Sequence, residues 1–119
     1  MKGRVFLIHW DGEECSQYKS SLEKLGLLVE AESEDGSKAF TRIRELAPDA
    51  VIIYLTRFPS HGRAVMEAMQ NNGRTSFIPV FLVEKKERKG TTVLTGQENV
   101  WIVKENGLVP ALTAFIKGI

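Results

Sequence analysis

The sequence predicts a three-layer α/β sandwich around a doubly wound parallel sheet. Three observations point there. Short apolar runs alternate with amphipathic stretches five times along the 119 residues. The middle run, Ala50-Val51-Ile52-Ile53, has no polar face, as a central strand covered by helices on both sides requires. Polar residues close the first, third, fourth and fifth runs, at His9-Trp10, Tyr54, Glu84 and Lys104. Sheets of this kind place their sites at the carboxyl ends of the strands.

Each element has a local reason. Arg4 to His9 reads as a buried strand, β-branched and aromatic before it turns polar. Residues 14 to 25 follow a helical period through Cys15, Tyr18, Leu22 and Leu25, and Gly26 stands where a helix ends in a left-handed glycine. Leu27 to Ala31 is a shorter strand. Glu34-Asp35-Gly36-Ser37 is a turn with Ser37 as the expected N-cap. A helix from Lys38 to Ala47 stops at Pro48-Asp49. Ala50 to Leu55 is the third strand and Thr56 to Gly62 a loop. A helix over Arg63 to Gln70 ends at Asn71-Asn72-Gly73. Ile78 to Val83 and Val100 to Val103 are the last strands. The final helix spans Leu108 to Lys117, with Pro110 tolerated in its first turn.

Parallel neighbours need a crossover, so Lys85 to Gly96 should hold a helix. Gly90, Thr91, Thr92, Thr95 and Gly96 are weak helix formers, and a short or irregular helix is expected there. Right-handed crossovers and five strands favour the flavodoxin-like order 2-1-3-4-5, with a crevice at the ends of strands one and three.

Composition narrows the function classes. The length fits one domain over residues 1–119. A formal net charge of +1 supplies no long-range field toward nucleic acid or an anionic membrane. The run from Glu84 to Lys89 mixes signs and has no interleaved aromatics, so it reads as a solvated loop rather than a base-stacking patch. No apolar stretch is long enough to span a membrane, and no secretory leader is evident. The expected location is the cytoplasm. The single cysteine, Cys15, reads as a small core residue. His9-Trp10-Asp11-Gly12 lacks the glycines of a dinucleotide loop, and no cofactor is expected.

Several short matches occur in order and at fitting spacing: Leu25-Gly26, Glu34-Asp35-Gly36, Pro48-Asp49, Gly62, Ile78-Pro79-Val80 and Val103-Lys104. Over essentially the whole chain the sequence resembles the CheY-like receiver domains of bacterial response regulators. That resemblance implies an acidic Mg²⁺-binding pair after strand one and a phospho-accepting aspartate ending strand three. It also implies a Ser/Thr ending strand four and a lysine ending strand five. In this sequence His9 and Trp10 stand at the acidic pair, Tyr54 at the acceptor, Glu84 at the Ser/Thr and Lys104 at the lysine. Only the lysine is retained. A phenol cannot form the acyl phosphate, and Asp11 alone is a poor set of oxygen ligands for a hard cation. The resemblance is therefore to a degenerate receiver, or pseudo-receiver.

The residues carry competing readings. His9 is a base, a phosphohistidine, a metal ligand in a two-histidine site with His61 closed by Asp11 or Glu84, or a hydrogen-bonded strand-end histidine; the last is the simplest. Tyr54 is expected to plug the space the aspartate leaves, ring buried. Glu84 and Lys104 are expected to lie on adjacent strand ends and to pair. Trp101, three positions before Lys104, is either a partner-binding aromatic or a half-buried strand residue. The expected function is non-enzymatic: a phosphorylation-independent protein-interaction module in two-component signalling, with a homodimer through the face from strand four to the final, fifth helix as one form of partner. The alternative is a small-molecule or metal-responsive sensor using the crevice lined by His9, Trp10, Asp11, Tyr54 and Lys104. Phosphorylation at Asp11 or Asp49 ranks last, since Asp49 lies at the wrong end of the sheet.

Overall fold

The computed structural model describes residues 2–84 and 99–116. Its elements run β1 (Arg4–Ile8), α1 (Gly12–Glu23), β2 (Leu28–Glu32), α2 (Gly36–Leu46), β3 (Ala50–Tyr54), α3 (Pro59–Gln70), β4 (Val80–Glu84) and β5 (Val100–Lys104). A 3-10 turn (Glu105–Gly107) then leads into α4 (Leu108–Ile116). The expected crossover helix over Lys85 to Gly96 lies outside the described residues, as does Lys117. The strands form one sheet in the order β2-β1-β3-β4-β5, every pair parallel, as expected.

The alternation of side chains along each strand divides the core in two. On one face Leu7, Ile52 and Phe81 pack beneath α1 and α4, against Leu22, Leu108 and Leu112. On the other, Phe6, Ile53 and Leu82 pack beneath α2 and α3, against Ile43, Val65 and Met69. β3 is buried throughout, which is why its sequence lacks a polar face. Gly62 lets α3 approach that strand: a Cβ there would fall 2.8 Å from Ile53 Cγ2 and 3.1 Å from Leu55 Cδ2. Among the described residues no helix is long and apolar enough to cross a membrane.

Helix starts differ from the expected ones, and side-chain caps explain two of them. Asp11 caps α1 by accepting the Glu14 amide at 3.0 Å, so the helix begins at Gly12 and not at residue 14. Asp35 caps α2 through the amides of Ser37 and Lys38, at 2.8 and 3.2 Å; Ser37 lies inside the helix and is not the cap. The third helix starts at Pro59, four residues before Arg63. Proline in the first turn has its φ preset and no amide to leave unpaired. Gly26 holds φ +96°, the left-handed backbone foreseen after α1. Ala47 ends α2 in the same region without being glycine, at φ 46°. β2 begins one residue later than expected, and β4 two. Before β4, residues 75–78 close a turn in which the Ile78 amide donates to the Thr75 carbonyl at 3.1 Å.

Candidate functional site

The carboxyl ends of β1, β3, β4 and β5 share one edge of the sheet, so register decides which of their residues meet. Ile8 pairs with Ile53, which sets His9 beside Tyr54. Glu84 and Lys104 are register partners at the ends of β4 and β5, the adjacency expected of them. His9 and Trp10, being consecutive, diverge. His9 turns to the α1 side with Tyr54, and Trp10 packs on the α2–α3 core.

A three-ring cluster fills the acceptor position. Tyr54 is 2% exposed and His9 is fully buried. Their ring centroids are 4.9 Å apart. Tyr18, reaching over from α1, stacks on Tyr54 at 4.5 Å and 22° and on His9 at 5.5 Å and 20°. The Tyr18 hydroxyl donates to Glu105 Oε1, tying α1 to the turn that follows β5.

His9 is also built into the start of α1. Its Nδ1 accepts the Asp11 amide at 3.1 Å. A nitrogen that accepts carries no proton, so the neutral ring bears its hydrogen on Nε2, which lies 3.0 Å from Glu14 Oε2. The spacing Asp11-x-x-Glu14 is that of a capping box, in which the glutamate returns to the N-cap amide. Here the imidazole stands between the two: the amide meets one ring nitrogen and the carboxylate the other. His9 is thus a hydrogen-bonded strand-end residue. His61 lies apart from it, stacked on Phe58 at 5.2 Å and edge-on to Trp10 at 6.1 Å.

Asp11 is committed to capping. The Glu14 amide it accepts, aided by Arg57 Nη1 at 3.7 Å, holds its carboxyl below the ordinary carboxylate range against a smaller opposing effect of desolvation. One capping carboxylate beside an imidazole and an indole does not fit a hard cation, which needs grouped oxygens. Among the described residues no three His, Cys, Asp or Glu side chains are grouped to hold a metal ion. Cys15 is 5% exposed, and burial followed by the charge of Glu32 pushes its thiol up, as suits a core residue rather than a nucleophile.

Burial, followed by the neighbouring Tyr18 hydroxyl and the carboxylates of Glu105 and Glu14, raises Tyr54 well above the ordinary phenol value of 10.0. Burial and then the bond to Glu105 raise Tyr18 likewise. The unfolded chain therefore releases these protons first. Stability from the cluster is full below pH 10.0 and falls as pH rises from there toward the higher folded values. These are the only two tyrosines, so tyrosinate absorbance reads the cluster alone. Tyr54→Phe is expected to retain more of its stability above that pH than the parent chain; equal alkaline losses would contradict the assignment.

Trp101 is half-buried on β5, stacked on Phe81 at 5.7 Å and contacting Phe115 of α4 at 4.4 Å. Phe115 is partly open, at 36%. His9, Trp10, Asp11, Tyr54, Glu84 and Lys104, the residues singled out in the sequence, all lie at or just after the carboxyl ends of β1, β3, β4 and β5. Sequence reasoning missed Glu14, Tyr18 and Glu105. The capping-box spacing carried a signal for Glu14. Nothing local announced the bond between Tyr18 and Glu105, 87 residues apart.

No family model matches the chain, and no curated protein does. Solved structures do match. A putative response regulator from Chloroflexus aurantiacus J-10-fl aligns with TM-score 0.77 and 14% identity, over 98% of this chain and 99% of that one. Chemotaxis protein CheY4 of Vibrio cholerae aligns with TM-score 0.74 and 12% identity, over 97% and 99%. The pseudo-receiver domain of the CikA protein aligns with TM-score 0.67 and 17% identity, over 96% and 97%. At these identities the likeness is one of fold. Together with strand order and crossovers, it establishes that the chain has the CheY-like fold of response-regulator receiver domains.

Proposed function

We propose that this chain is a pseudo-receiver: a receiver-fold domain that acts in two-component signalling without aspartyl phosphorylation, as a non-enzymatic protein-interaction module. The aromatic cluster carries this reading. Where a receiver's chemistry needs a solvent-reachable carboxylate, Tyr54 is 2% exposed between two other rings. Glu84 beside Lys104 supports it, since a carboxylate there repels an incoming phosphoryl group and attracts the lysine. In this reading the partner is a signalling protein in the cytoplasm, met through Trp101 and Phe115 on the β5–α4 face, or a second copy through the same face. Nucleic acid and membrane are not partners.

The closed crevice over His9 and Tyr54 disfavours a sensor that binds there. Incubation with Mg²⁺ and acetyl phosphate, followed by intact-mass measurement, tests the proposal. No phosphoryl adduct is expected. A hydroxylamine-labile adduct, the signature of an acyl phosphate, would refute it.

A further inference from the structure

Beside the closed crevice lies an open groove of about 450 Å³, between α2 and α3. It sits at the carboxyl edge of the sheet beside β1, from which the chain winds to β2 on one side and β3 on the other. Doubly wound sheets take their ligands at this switch point, and the volume suits a small organic molecule.

Its lining has a definite chemistry. Trp10, Phe40 and His61 supply aromatic surface, Val65 an apolar floor, and Glu34 and Asp35 two carboxylates. No lysine or arginine lines it. Glu34 is exposed and forms no ion pair among the described residues. Asp35 uses one oxygen, Oδ1, to cap α2. Aromatic faces next to unopposed carboxylates are the chemistry that recognises organic cations. Phe40 already displays it, with the Arg44 guanidinium 5.5 Å from its ring centroid.

The groove is also held in shape. At Gly36 a Cβ would come 3.3 Å from Val65 Cγ2 and 3.8 Å from Trp10 Cη2, so the bare backbone lets α2 close onto both. On the other side His61 stands between Trp10 and Phe58. Phe58 adopts φ 45°, a conformation costly for a bulky side chain.

We propose that this groove binds a small arylalkylamine, its ring against Trp10 and His61 and its ammonium toward Glu34 and Asp35. This goes beyond the interaction role and does not depend on it.

The chain has two tryptophans, and Trp101→Phe leaves Trp10 as the only indole. In that background the Trp10 indole N–H resonance is followed during titration with 2-phenethylamine, and separately with phenylacetate, which presents the same ring with the opposite charge. Phenethylamine is expected to give a saturable shift and phenylacetate none. Adding Glu34→Gln with Asp35→Asn keeps a capping oxygen on α2 and should weaken phenethylamine binding about five- to twenty-fold. No saturable Trp10 shift, an equal response to phenylacetate, or unchanged affinity in the doubly neutralised variant would each overturn the proposal. None of these outcomes bears on phosphoryl transfer, so the two readings fail separately.

Discussion

Tyr54→Ala is expected to lower the unfolding free energy by about 3–5 kcal/mol, the largest single loss at the carboxyl edge of the sheet. The ring is 2% exposed and packs against His9 at 4.9 Å and Tyr18 at 4.5 Å. Its removal opens a hole ringed by a buried imidazole, a second phenol and β4. β3 is central and paired on both sides, so the backbone has little freedom to collapse into that hole. Tyr54→Phe keeps the ring and should stay within about 1 kcal/mol of the parent. Urea unfolding of the two variants separates ring from hydroxyl. A Tyr54→Ala variant as stable as the parent would show that the cluster is not a structural plug.

His9→Phe should cost about 1–3 kcal/mol although it preserves an aromatic ring in the stack. The loss comes from what the imidazole nitrogens hold. The Asp11 amide, which donates to Nδ1 at 3.1 Å, is left without its acceptor. Glu14 Oε2 loses its contact with Nε2, 3.0 Å away. Both sit at the start of α1, so the damage should be local: faster amide exchange at residues 11–15, with the strands protected as before. A variant of parental stability and unchanged exchange in that turn would mean that His9 is retained for its ring alone.

The fold was readable because its periodicities are strong. A run apolar on both faces marks a central strand, and that identified β3; five strands favoured the order 2-1-3-4-5 without the pattern alone deciding it, and the sheet has that order. Helix starts were less readable, for reasons the caps reveal. Ser37 carries a good capping side chain, but Asp35, two residues earlier, takes the amides of Ser37 and Lys38. At Phe58 no side-chain cap is formed, so the sequence offers no polar signal for a helix that starts at Pro59. Strand-end positions such as His9 and Tyr54 were legible because the strands place them. Their surroundings were not. Tyr18 looked like one more apolar-face residue beside Cys15 and Leu22, and only the assembled fold brings it over Tyr54 and onto Glu105. Likewise the alternative sensor was drawn over His9, Trp10, Asp11, Tyr54 and Lys104, and of these only Trp10 lines the open groove.

The central claim is that no metal–phosphoryl site survives at the ends of these strands. The most direct test is an amide NMR titration with Mg²⁺ and then beryllofluoride, which mimics the aspartyl phosphate. The resonances of His9, Trp10, Asp11, Tyr54, Glu84 and Lys104 should stay in place through both additions. Saturable shifts confined to those residues would show a working phosphoryl site and contradict the pseudo-receiver reading.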